Sequence, residues 1–283
     1  MMWEIIKDTI IDTIKIVPFL FVAFLIIEII EHKLSNKNKD VIKRSGKYGP
    51  VIGGILGIIP QCGFSTMATN LYVTRIVSLG TLVSIYLSCS DEMLPILLSE
   101  KVSMGVICKL LIMKAFIGII SGIVIDLILR KRSEREEFQY DICSSEHCHC
   151  EEENIIKSSI YHTVKISIFI LIINFLLNIV FNYGGESFLA KMLLNDNVFS
   201  SFLTGIIGLI PNCGASVMIT ELYINKVISL GATMSGLLAG SGISMFILFK
   251  TNKNIKENIG ILLLVYGISV VSGMIIDLIG IVL

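Results

Sequence analysis

Charge is scarce in this 283-residue sequence: Asp, Glu, Lys and Arg make up 16% of it, against roughly 25% in an ordinary soluble domain. The 23 basic and 23 acidic residues cancel, so no basic excess points to a nucleic-acid partner. Proline is scarce as well. Five prolines beside 23 glycines exclude collagen-like and low-complexity classes. Seven cysteines are an odd count. The N-terminus has no basic region and no small-residue cleavage site, so a secreted disulfide scaffold is disfavoured and the first helix is expected to be retained. Catalytic signatures are missing too. There is no phosphate-binding G-x-x-x-x-G-K-[ST] loop, no C-x-x-C pair, no H-E-x-x-H and no G-x-S-x-G. No aqueous segment is large enough for an ATPase, so transport would draw on an ion gradient, the membrane potential or a partner subunit. No enzymatic activity, catalytic residue or resident cofactor is expected.

What is abundant is apolar surface. Hydrophobic residues make up 54% of the chain and the mean hydropathy is +0.81, which reads as an all-α polytopic membrane protein. A spanning helix needs about 20 apolar residues, and residues 9–30, 76–98, 104–129, 160–181, 227–249 and 259–283 qualify. Residues 51–72 and 202–223 are also apolar but carry Pro and Gly at their centres. Residues 32–48 and 130–157 are aqueous.

The sequence repeats itself. "GILGIIPQCGFSTMATNLYVTRIVSLG" from Gly54 aligns without a gap on "GIIGLIPNCGASVMITELYINKVISLG" from Gly205, at an offset of 151. The same offset carries Asp126 onto Asp277, and "TIKI" from Thr13 matches "TVKI" from Thr163. The chain therefore divides into a first membrane repeat (1–129), a Cys/His-rich linker (130–157) and a second repeat (158–283). Basic residues orient the halves. Lys33, Lys37, Lys39, Lys43, Arg44 and Lys47 follow the first helix, whereas the matching loop of the second half has only Lys191. After the third segment the bias reverses, to Lys250, Lys253 and Lys256 in the second half. The linker opens with Arg130, Lys131 and Arg132 and reads as cytoplasmic. These assignments close if each half crosses three times and its broken segment returns to its own side. The expectation is two inverted repeats, each with three spanning helices and one re-entrant hairpin. Counting each hairpin arm gives ten segments.

The hairpin tips, Pro60–Gly63 and Pro211–Gly214, are the candidate site. Irregular backbone at membrane depth occurs only inside protein or around water, and paired breaks in inverted repeats mark transporter binding sites. Gln61 and Asn212 supply amide oxygens, Cys62 and Cys213 thiols, Ser65 and Ser216 hydroxyls. Carboxylates within membrane segments are functional candidates. Glu221 lies eight residues past Cys213, opposite Asn70 in the repeat. Asp91 and Glu92 occur in one half only. Asp126 and Asp277 recur in both, near helix ends, as gates or structural caps. Lys109 and Lys114 are candidate partners for these acids. Met67 and Met218 read as packing, and Gly53, Gly57, Gly118, Gly122, Gly236 and Gly240 as small-residue contact faces. In the linker, Cys143, Glu146, His147, Cys148, His149 and Cys150 fall within eight residues, donors for soft to borderline metals without the spacing of a zinc module. Such a tract reads as flexible metal capture.

At the paired "IPQCG" and "IPNCGASVMITELY" motifs the chain resembles a bacterial family of ten-segment heavy-metal exporters, labelled as arsenic efflux proteins or manganese transporters. The resemblance implies a multi-pass protein of the bacterial inner membrane, with lipid and a metal ion or metalloid as its partners and with Asn212, Cys213 and Glu221 at the substrate site. Two other functions stay open beside metal export: carriage of a small anion or organic solute with a regulatory linker, and a redox role for Cys62 and Cys213.

Overall fold

A computed structural model describes residues 48–58, 62–90, 93–130, 197–210 and 213–280, with scattered helical positions between 7 and 25 and between 156 and 175. The elements it describes are helices. The first set is α1 (Gly49–Leu56), α2 (Cys62–Val73), α3 (Leu79–Ser88), α4 (Met93–Ser99) and α5 (Met104–Arg130). The second is α6 (Asn197–Gly208), α7 (Cys213–Ile224), α8 (Leu230–Ala239), α9 (Ile243–Thr251) and α10 (Ile255–Ile279). At the offset of 151, α2 maps onto α7 and α3 onto α8, end for end.

The matching ends have matching causes. Ser78 and Ser229 are the N-caps of α3 and α8, accepting the N–H of Thr81 and of Ala232, each at 3.1 Å. Helices α2 and α7 close on left-handed residues, Arg75 (φ 60°) and Lys226 (φ 58°). The next amides reach five residues back, Ile76 to the Leu71 carbonyl and Val227 to the Leu222 carbonyl, the bond pattern of a Schellman turn. Glycine is usual at that position. A residue with a Cβ there costs about 1–2 kcal/mol.

Helix α3 lies between α1 and α5, and α8 between α6 and α10. The closest approaches are backbone on backbone: a Cβ on Gly80 would stand 2.1 Å from the Gly122 carbonyl oxygen, and one on Gly231 2.2 Å from that of Gly273. Ser84 donates to the Pro50 carbonyl and Ser235 to the Ser201 carbonyl, both at 2.7 Å, which ties α1 to α3 and α6 to α8. Between the halves the contacts are exchanged. Helix α2 packs on α9, α7 packs on α4, and α3 meets α8. Reciprocal contacts of this kind are those of a two-fold arrangement.

The surface is the inverse of a soluble protein's. Ile112, Phe116, Leu127 and Ile128 on α5 and Leu263, Val271 and Leu278 on α10 are exposed, while Ser65, Thr66, Thr69, Asn70, Ser84, Ser88, Lys114 and Ser244 are buried. Water would favour the opposite sorting; lipid tolerates it. Three stretches are long and apolar enough to cross a membrane: the helices Met104–Leu129 and Ile255–Ile279, and Leu230–Thr251, which takes in both α8 and α9. The chain is a polytopic membrane protein.

One expectation is corrected. Residues 76–98 and 227–249 read as single spanning helices, yet each is divided. Helix α3 stops at Ser88 because Cys89 turns to ψ 133°, and α4 resumes at Met93. Helix α8 stops at Ala239, Gly240 leaves helical geometry with ψ 70°, and Gly242 has φ 56° before α9 begins. The local cause is composition: Ser-Cys-Ser in one half and Gly-Ser-Gly in the other offer the backbone non-helical alternatives. Hydropathy averaged over about 20 residues passes over three small ones. Residues 9–30 and 160–181 lie largely outside the described residues, as does nearly all of the 130–157 linker.

Candidate functional site

The broken ends meet. Helix α1 runs beside α3, with Gly49 against Thr81, Gly53 against Ile85 and Gly57 against Ser88, so the end of α1 lies next to the end of α3. Helix α2 then leads back to Arg75, three residues before the cap of α3. In the second half Gly208 lies against Gly236, and Gly240 against the Ser216 hydroxyl.

A buried hydroxyl cluster joins α2 to the start of α9. Ser244 donates to the Ser65 hydroxyl at 2.6 Å and lies 3.4 Å from the Thr66 hydroxyl. The Thr69 and Tyr86 hydroxyls are 2.6 Å apart. Both also approach the Ser244 carbonyl, at 3.5 Å and 3.4 Å. One turn beyond Thr66 is Asn70, 1% exposed, whose amide nitrogen and oxygen both lack a hydrogen-bond partner. A buried carboxamide normally finds partners, so an unpaired one beside this cluster is a candidate ligand. On the far side of α3 the buried Lys114 donates to the Cys89 carbonyl and, at 2.9 Å, to the Leu237 carbonyl. It thereby links the broken end of α3 to that of α8.

The residues singled out from sequence fall in several places. Ser65 belongs to the hydroxyl cluster through Ser244; Ser216 is half-buried on α7. Cys62 and Cys213 begin α2 and α7, and their side chains lie outside the described residues. So do Gln61, Asn212, Asp91 and Glu92, and the linker group Cys143, Glu146, His147, Cys148, His149 and Cys150. Glu221 is exposed on α7, whereas its repeat mate Asn70 is buried. Asp126 accepts from the Ser78 hydroxyl at 2.6 Å and the Gly80 amide at 2.8 Å. Asp277 accepts from Ser229 and from the Gly231 amide, both at 2.8 Å. Each carboxylate pins the end of a long helix to the N-terminus of its neighbour, where negative charge is favoured. Lys109 is exposed. Lys114 donates to two backbone carbonyls; Asp91 and Glu92, two of its candidate acid partners, lie outside the described residues. Among the described residues no three His, Cys, Asp or Glu side chains are grouped in the manner of a metal site.

Thr66, Thr69, Tyr86 and Ser244 do not stand out as site residues in the sequence, and Lys114 does so only as a partner for acids. The repeat held a signal for some of them: Thr66 and Lys114 stand opposite Val217 and Val265, polar against apolar.

Residues 2–184 and 151–281 match a family described as "Putative, 10TM heavy-metal exporter". The chain belongs to that family. No curated protein and no solved structure matches it. Among the described residues, the broken ends, the hydroxyl cluster and the unpaired Asn70 are the candidate polar site. Hydroxyl and amide oxygens suit hard cations and hydroxylated metalloids, and the thiols of Cys62 and Cys213 suit softer ones.

One face of the molecule carries a separate device. Arg75 makes a two-pronged ion pair with Glu257, at 2.9 Å and 3.1 Å, and Tyr72 donates to the same carboxylate. The guanidinium also sits 5.4 Å from the centre of the Tyr72 ring. This contact holds the loop after α2 against the start of α10, one half against the other.

Proposed function

We propose that the chain exports a heavy-metal ion or metalloid by alternating access, with the cargo held where the two tip segments meet the broken helices. Cys62 and Cys213 are ligands, Gln61, Asn212, Ser65, Ser216 and Asn70 supply oxygen donors, and Glu221 receives the cation on its way along α7. The observation that carries this reading is the reciprocal packing of α2 on α9 and of α7 on α4, which brings helix breaks of one half to helices of the other at a buried polar centre. Paired breaks at a repeat interface are where secondary transporters bind substrate.

The orientation belongs to the same proposal. The register of α1 along α3 and the return of α2 to the start of α3 support re-entrant hairpins. The Arg75–Glu257 pair supports a common face for the loops after α2 and after α9, the second of which carries Lys253. By the positive-inside rule that face is cytoplasmic, which puts the linker in the cytoplasm and the two halves in opposite orientations. The linker's Cys143, Cys148, Cys150, His147, His149 and Glu146 then deliver metal to the inward-facing site.

The test is a sensitivity panel in a bacterial host stripped of its own exporters, with Mn²⁺, Zn²⁺, Cd²⁺, Co²⁺ and arsenite, and with cellular metal read by mass spectrometry. The expected result is resistance and lowered content for one species, abolished by Cys213→Ser and weakened by Glu221→Gln. No change for any species would replace this reading with carriage of a small anion or organic solute. The N-termini of α2 and α7 at the tips would favour that cargo.

A further inference from the structure

Lys114 lies at the middle of α5, 1% exposed, and the contacts of its ammonium include two carbonyls from different halves of the molecule. Both carbonyls are released by helix breaks. The Cys89 carbonyl belongs to the C-cap of α3, where the chain has already left helical geometry. The Leu237 carbonyl would ordinarily accept the amide of Ser241, four residues on, but that amide bonds Ala239 instead, at 2.8 Å. Helix C-termini carry partial negative charge from such unclosed carbonyls. Two of them aimed at one point make a site for a cation, and in broken-helix transporters such ends bind the coupling ion. The repeat supplies no second lysine: the mate of Lys114 is Val265, fully buried.

We propose that Lys114 is a tethered cation occupying a monovalent-ion site formed by the ends of α3 and α8. The chain carries its own ion at the junction of the halves, so that junction needs no soluble Na⁺ or K⁺ to hold it together. Truncating the side chain to the methyl of alanine leaves the two carbonyls with room for a free ion between them. Truncation to methionine fills the space without charge and leaves the carbonyls unsatisfied.

The proposal rests on the helix breaks and not on the cargo, and its test uses no metal. The purified full-length protein in detergent is unfolded thermally in choline chloride, NaCl, KCl and LiCl at one ionic strength. Wild type is expected to unfold at the same temperature in all four salts. Lys114→Ala is expected to unfold at a lower temperature in choline. One alkali cation should then raise it saturably by about 5 °C, the behaviour of a ligand bound only by the folded state. Lys114→Met is expected to be low in every salt. Lys114→Ser is the second small variant. Recovery of either small variant only in an alkali salt supports the site. A flat salt response of both overturns it, as does failure to recover either in any salt, or a shift of wild type equal to theirs. A missing metal phenotype in the sensitivity panel would remove the export reading and leave this result standing.

Discussion

Asp126 and Asp277 stand 151 residues apart and share two bonds, one carboxylate oxygen to a serine hydroxyl and the other to a glycine amide, to which Asp277 adds a long contact from Ser201 at 3.5 Å. Lys114 and Val265 stand at the same spacing and share only burial. The two halves thus agree in what anchors their helices and differ in what lies at their meeting point. Asn70 is buried where Glu221 is exposed; Thr66 faces Ser244 where Val217 has no hydroxyl to offer. A duplicated scaffold needs the same anchors twice because each half must fold. A single cargo site needs one set of ligands, and the duplicate copy is free to differ. Positions where the repeat disagrees with itself, Asn70 and Thr66 among them, are therefore candidates beside the matched cysteines and serines of the tips.

The strongest way to break that comparison is Asn70→Leu. Both polar atoms of Asn70 are buried without partners, and an unsatisfied buried amide costs about 1–3 kcal/mol. If Asn70 is kept for cargo, leucine should raise thermal stability and abolish resistance to the exported species. A variant that is both less stable and fully active would assign Asn70 to packing. Asp126→Ala and Asp277→Ala probe the half of the comparison where the copies agree. Each removes a carboxylate from a helix N-terminus, a loss of about 1–2 kcal/mol by analogy with capping residues. The two losses should be equal within error by thermal unfolding, and unequal losses would mean that one of these aspartates does more than anchor.

Much of this was legible in the sequence, for reasons that differ by residue. The repeat, the Pro-Gln-Cys-Gly and Pro-Asn-Cys-Gly breaks, and the packing of Gly122 follow from identity and spacing, which survive in a one-dimensional string. The breaks at Cys89 and Gly240 did not stand out, because serine and glycine inside an apolar run shift its mean hydropathy little and a single proline is the louder signal. Lys114 was visible as an intramembrane cation, but two of the groups it donates to are backbone carbonyls, which every residue possesses and which no sequence distinguishes. The hydroxyl cluster was hidden for a related cause. Ser65 and Ser244 are 179 residues apart and meet only because the halves exchange helices.

The smallest expected effect concerns the face that carries the Arg75–Glu257 pair. Tyr72, Arg75 and Glu257 correspond to Tyr223, Lys226 and Val106, so in the proposed inverted arrangement the latch on one face has a tyrosine, a cation and no acid on the other. The pair is partly exposed, 43% at Arg75 and 20% at Glu257, and such pairs contribute about 1 kcal/mol or less. That is too little to hold a protein shut and enough to shift a two-state balance about fivefold. Glu257→Gln should therefore leave the unfolding temperature nearly unchanged while speeding alkylation, from the side of this face, of a cysteine introduced at Thr66. Raised salt should do the same to wild type by screening the pair. Val106→Glu combined with Lys226→Arg should build the missing latch on the opposite face and slow alkylation from that side. If the transplant slows labelling from both sides alike, the pair is a brace common to all states. If it slows one side alone, the asymmetry of the two faces sets the resting direction of the gate.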